Sequence, residues 1–169
     1  MKRVAQLLNE MRDAGVITDY AIFGAVAQLR YTEPVATVDA DVLVAVPDPD
    51  RLDVLSAIYQ FCSAKGYIAD GDAVRVGHWP VQFVPTFDEI TRDALAKAES
   101  EAIEGVPLRV VGADYLALLA LSVGRSKDYT RILALLESGG VGRDRLAELA
   151  GRYGLGEAWQ RFEGKFLNE

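Results

Sequence analysis

The stretch TVDADVLVAV, residues 37–46, constrains the fold more than any other in this chain. Its apolar run is the strongest strand of the sequence, and the PDPD that follows stops it sharply, because proline cannot donate to a ladder. At the mouth of the strand Asp39 and Asp41 stand one residue apart. Side chains alternate along a strand, so Asp39, Asp41 and Leu43 share one face and Val38, Ala40, Val42 and Val44 the other. Carboxylates spaced by roughly 7 Å on one face repel each other, and partial burial raises the cost. A divalent cation removes that repulsion. Magnesium takes oxygen ligands, typically one or two carboxylates plus substrate phosphates. Taken alone, the pair also reads as two acids that merely solvate an exposed strand end, so its flanks have to supply the meaning.

Upstream, YAIFGAVAQLR reads as a short strand at 19–23, a turn at Gly24 and a helix of about two turns. Gly24 would let the backbone approach a ligand closely. The helix behind it would aim unpaired N–H groups at an anion. YTEPVAT then breaks the chain, with Pro34 inside it. Downstream, the spacing predicts a helix at about 51–65 ended by Gly66. Short strands follow in YIAD, AVRVG and WPVQFVP, then a helix at 88–99 and a strand around VPLRVV. From Gly112 onward the four apolar-periodic segments are all helical in spacing. The expectation is an α+β half over residues 1–111 and a helical half over 112–169.

The chain of 169 residues carries a net charge of −7, with no run of lysine or arginine. A small or already metal-complexed substrate is therefore easier to defend than a long nucleic-acid duplex. No apolar stretch is long enough to span a bilayer, and the amphipathic MKRVAQLLNEMRDAG is no secretory signal. One cysteine, Cys62, excludes an intrachain disulfide and fits a cytoplasmic setting. It reads as a small buried hydrophobe. His78 and Trp79, at a hairpin, read as packing residues. Trp79 would stack a base if it faced a cleft, and His78 has no second ligand at zinc spacing.

FGAVAQLRYTEPVATVDADVLV resembles the nucleotidyltransferase family in its AbiEii-type (abortive-infection) and related minimal forms, where a Gly-Gly or Gly-Ser turn precedes a T-x-D-x-D strand. Gly24 and Ala25 match the turn in part, and Thr37, Asp39 and Asp41 match the strand. LSVGRSKDYTRILALLE resembles the R-x-K-D helix of the same group through Arg125, Lys127 and Asp128. The resemblance implies a small mixed β-sheet flanked by helices, the nucleotidyltransferase fold, followed by a C-terminal helical bundle. It implies Asp39 and Asp41 as metal ligands for Mg2+ or Mn2+. Gly24, Ala25, Arg125 and Lys127 would bind a nucleoside triphosphate, with Asp128 orienting a base or capping the helix. The acceptor hydroxyl would be on a tRNA end, a protein or a small molecule, and the setting a toxin–antitoxin pair with an antitoxin partner. The family's third carboxylate falls on Gln82, a glutamine that can offer a carbonyl but cannot act as a base. Asp70 or Asp72 would be the substitutes. A second expectation follows from Gln82 and Ala25: the fold kept, the chemistry lost, and a nucleotide-sensing or protein-binding module left.

Overall fold

The computed structural model describes residues 1–168. Helix α1 (Lys2–Asp13) leads into strand β1 (Asp19–Phe23), helix α2 (Gly24–Gln28) and strand β2 (Ala40–Ala45). Helix α3 (Ser56–Ala64) follows, then a meander of β3 (Ile68–Asp70), β4 (Ala73–Val76) and β5 (Trp79–Pro85). Helix α4 (Glu89–Ala96) precedes the hairpin of β6 (Glu99–Ile103) and β7 (Val106–Val110). Four helices close the chain: α5 (Ala113–Val123), α6 (Ser126–Glu137), α7 (Arg143–Arg152) and α8 (Gly156–Phe166). Among the described residues, no helix is long and apolar enough to cross a membrane.

The strands form one seven-stranded mixed sheet in the order β3-β4-β5-β2-β1-β7-β6. β2 lies at its centre, antiparallel to β1 and parallel to β5. Ala40, Val42, Leu43 and Val44 are all fully buried there, so both faces of β2 are covered. This explains the unbroken apolar run: a strand buried on both sides loses the polar alternation of a half-exposed one. Helix α1 buries Val4, Leu7, Leu8 and Met11, spaced by three and four, and packs on β7. The ion pair of Arg109 with Asp19 joins β7 to the start of β1. Arg109 also donates to the carbonyls of Leu95, at 3.2 Å, and Ala98, at 3.0 Å, which close α4.

Several element boundaries differ from the sequence reading. β2 begins at Ala40, so Asp39 precedes the strand instead of lying in it. α2 has five residues and not two turns. α3 starts at Ser56, after a turn in which the Asp53 carboxylate accepts from the Ser56 N–H at 3.1 Å. α4 ends at Ala96, not Glu99, and residues 99–103, to which the sequence reading gave no strand, form the edge strand β6. ESEAI has poor strand propensity and a mostly exposed face. Pairing with β7 overrides that propensity.

Candidate active-site cleft

Sheet register determines the neighbours of Asp41. On one side it pairs with Phe23 of β1, on the other with Gln82 of β5. Gly24, next after Phe23, has φ +67°, and a Cβ added to it would collide with Asp41 Oδ2. The glycine is thus required twice, by left-handed backbone and by the close approach of the carboxylate. Asp39 enters from the loop before the strand, where the Thr37 hydroxyl donates to the Asp39 carbonyl at 2.9 Å. This bond shapes the turn that brings Asp39 beside Asp41.

Helix α6 faces these groups. Gly124, left-handed at φ 72°, ends α5 and turns the chain so that α6 starts over the sheet. Asp128 sits in its first turn, 1% exposed. Its carboxylate accepts from the backbone N–H of Arg125 at 3.1 Å and from Arg125 Nε at 2.8 Å. It therefore caps the helix and fixes the direction of Arg125, both roles weighed in the sequence. Lys127 is exposed, and Arg131, four residues on, shares its helix face. Arg131 Nε donates to Oε1 of the buried Gln28 of α2 at 3.0 Å.

Between sheet and helix lies a cleft of about 560 Å³. Asp39, Asp41 and Gln82 line one wall, Arg125, Lys127 and Arg131 the other, and Ala25 and Gln28 lie between. A second chamber of about 260 Å³ meets it at Asp41, Arg125, Lys127 and Arg131. That chamber is largely apolar, with Leu43, Val84, Leu116 and Leu119 inside and the exposed Phe87 and Val123 on its lining.

Burial raises the pKa of Asp41 above the ordinary aspartate value, and the like charge of Asp39 adds to it. Arg131, Lys127 and Arg125 pull in the opposite direction. Burial also lowers the pKa of Arg131, although a guanidinium keeps its charge at any working pH. The donor set of two carboxylates and one amide carbonyl suits Mg2+ or Mn2+ only with ligands from a substrate. No group of three or more His, Cys, Asp or Glu that could hold a metal occurs among the described residues.

The other residues singled out by sequence lie elsewhere. Asp70 is on the edge strand β3, paired with Arg75 at 2.5 Å, two strands beyond β5. The carbonyl of Asp72 accepts from Tyr59. Neither acid lines the cleft, so neither supplies the third carboxylate. His78 is exposed and lies against Trp79 with ring centres 5.2 Å apart and the rings tilted by 38°, and neither ring lines either chamber. Cys62 is buried, and burial pushes its thiol up to about 11. Arg131 was missed from sequence. Its signal was the four-residue spacing from Lys127, which puts both on one helix face.

No protein-family model and no curated protein matches the chain. Solved structures do. An antigenic nucleotidyltransferase-like protein from Paracoccidioides brasiliensis is similar over 99% of this chain and 98% of its own, at 14% identity and a TM-score of 0.55. The antibiotic-resistance factor ANT(2'')-Ia is similar over 95% of this chain and 97% of its own, at 13% identity and a TM-score of 0.53. At such identities the likeness establishes the nucleotidyltransferase fold.

Proposed function

We propose that the chain is a nucleotidyltransferase that moves a nucleoside monophosphate from a nucleoside triphosphate to an acceptor hydroxyl. The observation that carries this is the pair Asp39 and Asp41 facing Lys127 and Arg131 of α6 and its N-cap residue Arg125 across one cleft, on a nucleotidyltransferase fold. Asp39 and Asp41 would hold Mg2+ or Mn2+, with the carbonyl of Gln82 beside them in register with Asp41. When bound, the metal offsets charge on the α-phosphate during in-line attack. Lys127, Arg125 and Arg131 bind and orient the triphosphate oxygens and offset the charge carried off by pyrophosphate. The sequence assigned part of that work to Gly24, Ala25 and the helix after them. With α2 only five residues long, its dipole is weak, and the cations of α6 become the main phosphate holders. Asp128 touches no substrate in this scheme and positions Arg125.

The acceptor in this reading is a tRNA end, a protein hydroxyl or a small molecule. The AbiEii-type resemblance favours the first two, within a cytoplasmic toxin–antitoxin pair. The likeness to an antibiotic-resistance factor favours the third. The test is transfer of label from an α-labelled nucleoside triphosphate to total RNA, lysate protein and small hydroxyl compounds. Asp39→Asn and Asp41→Asn should each lower transfer by at least about a hundredfold, the loss of roughly 2.7 kcal/mol of transition-state stabilisation. Full activity in both variants would remove this mechanism.

One observation favours a second reading, a nucleotide-sensing or protein-binding module without turnover. Gln82 stands in register with Asp41, in the place where a carboxylate would complete a metal site. The wild-type chain would then bind a triphosphate and transfer nothing, while Gln82→Asp would gain activity. Transfer by the wild type that Gln82→Asp fails to increase rejects this alternative.

A further inference from the structure

We propose that the second chamber is the subsite of the acceptor, and that it selects a small neutral hydroxyl compound with an aromatic or aliphatic body. That its occupant is an acceptor rests on the nucleotidyltransferase reading. The apolar binding itself does not.

The chamber continues the sheet face on which the acids stand. Asp41 is in register with Gln82, and two residues further in the same face carries Leu43 in register with Val84. Opposite them α5 presents Leu116, Leu119, Ala120 and Val123, spaced by three and four along one side of the helix. Leu43 and Leu116 are buried behind, and the half-buried Val84 and Leu119 form walls that a ligand can touch. At the rim Phe87 is 72% exposed and Val123 56% exposed, apolar area left in water beside an apolar hollow.

Both carboxylates line the cleft, while of the two only Asp41 lines the chamber. A triphosphate in the cleft therefore leaves the chamber to a second molecule that reaches the same Asp41. The hydroxyl oxygen of that molecule bonds to the α-phosphorus as the bond to pyrophosphate breaks, and the hydroxyl proton leaves to solvent.

The polar side chains of the chamber exclude other occupants. Asp88 accepts from the Thr91 N–H at 2.8 Å and from its hydroxyl at 2.6 Å. Ser122 donates to the Leu119 carbonyl at 2.7 Å, and Asp128 is held by Arg125. A nucleobase placed among these groups would leave edge donors and acceptors unpaired, which costs more than the burial of its ring returns. The ammonium groups of an amino sugar would meet Arg125, Lys127 and Arg131 at the junction with the cleft, while two of the three carboxylates, Asp88 and Asp128, already hold partners. The volume of about 260 Å³ lies below the roughly 300 Å³ at which sites for drug-sized ligands begin. It suits a compact apolar body and not an oligosaccharide.

The test uses the full chain, with naphthylmethanol as the probe and glucose, adenosine and tobramycin as polar counterparts. Binding is read from the methyl resonances of Val84, Leu119 and Val123, and transfer from labelling of each compound by an α-labelled nucleoside triphosphate. Naphthylmethanol should shift those methyls and be labelled with a kcat/KM at least about tenfold above that of any polar compound, the size that burial of an aromatic body supports. Leu119→Trp, which fills the chamber, should weaken its binding at least about tenfold and raise its KM more than it lowers kcat. Val123→Asp, a charge at the exposed rim, should shift both in the same direction, and it covers the case in which Leu119→Trp does not fold. Better labelling of RNA, lysate protein or tobramycin than of naphthylmethanol overturns the proposal and leaves the nucleotidyltransferase reading standing. Naphthylmethanol that shifts none of these methyls, or that binds the folded variants as tightly as wild type, overturns it too. Chamber binding that the variants weaken, with no compound labelled by any triphosphate, keeps the apolar site and shows that the nucleotidyltransferase reading is what failed.

Discussion

Asp41 is placed where its ionised form is least comfortable, partly desolvated and close to a second carboxylate. Both effects raise its pKa, so ionisation costs folding free energy. The sign is fixed by linkage. With the folded pKa above the unfolded one, the stabilising contribution of the protonated acid is complete below the unfolded value. It is lost as pH rises through the folded value. At neutral pH Asp41→Asn should therefore melt higher than wild type. The expected rise in Tm is about 2–4 °C, the size that ~1 kcal/mol gives in a chain of this length. The same variant should lose nucleotide transfer. Wild-type binding of Mn2+ with a triphosphate analogue should weaken at a higher pH on acidification than an ordinary aspartate would give. Equal or lower Tm in Asp41→Asn would show that Arg131, Lys127 and Arg125 already offset the burial. Much of this residue's setting was legible in sequence: the D-x-D spacing, Gly24 and the glutamine in the third place. The collision that ties Gly24 to Asp41 was not, because it depends on β1 and β2 pairing Phe23 with Asp41.

Helix α6 is the element that makes the acids into a site, and its first turn does most of that work. Asp128 accepts the Arg125 backbone N–H and guanidinium while almost fully buried. Asp128→Ala should cost about 1–2 kcal/mol by removing the cap. It should also weaken triphosphate binding by releasing Arg125. Asp128→Asn keeps an acceptor for the N–H and should recover most of the stability but less of the binding. Thermal melts and calorimetry on the two variants separate capping from positioning, and equal stability in both would reject the capping role. α6 could be read in sequence because acid, bases and apolar residues follow a 3.6-residue period. α2 and β6 could not be read to their limits. The helix after Gly24 ends after five residues as the chain turns toward Pro34, and β6 is a charged segment that becomes a strand only by pairing with β7. For β6 the decisive partner is the adjacent strand β7, reached by a two-residue turn, and the pairing overrides the poor strand propensity of the segment itself.

At the scale of the molecule, the cleft exists because the helical half is packed on the sheet half. The change of character at residue 112, expected from sequence to separate two units, coincides with a chain turn in the structure, and one buried cluster runs across it from Val4 in α1 to Phe162 in α8. Helix α5 follows directly on β7, with Val111 N–H donating to the Ile22 carbonyl of β1 at 2.9 Å. It buries Tyr115, Leu116, Ala117, Leu118, Ala120 and Leu121, and it packs against α2 and α4 as well as against α6 and α7. A polar chain reinforces the join. Tyr153, just after α7, donates to Asp93 of α4, the Tyr153 and Tyr115 hydroxyls lie 2.7 Å apart, and Lys97 donates to Tyr115 at 3.0 Å. Removing α5–α8 would expose the apolar surface they cover and leave Asp93 and Lys97 without these partners. Residues 1–111 on their own should therefore form no fixed tertiary structure. The full chain should unfold in a single transition that is the same by near-ultraviolet circular dichroism, by tryptophan fluorescence and by calorimetry. Trp79 reports on the sheet and Trp159 on α8, so the fluorescence sees both halves at once. A fragment 1–111 with dispersed amide resonances, or two separated transitions in the full chain, would instead show two independently stable units, with the cleft as an interface free to open between them.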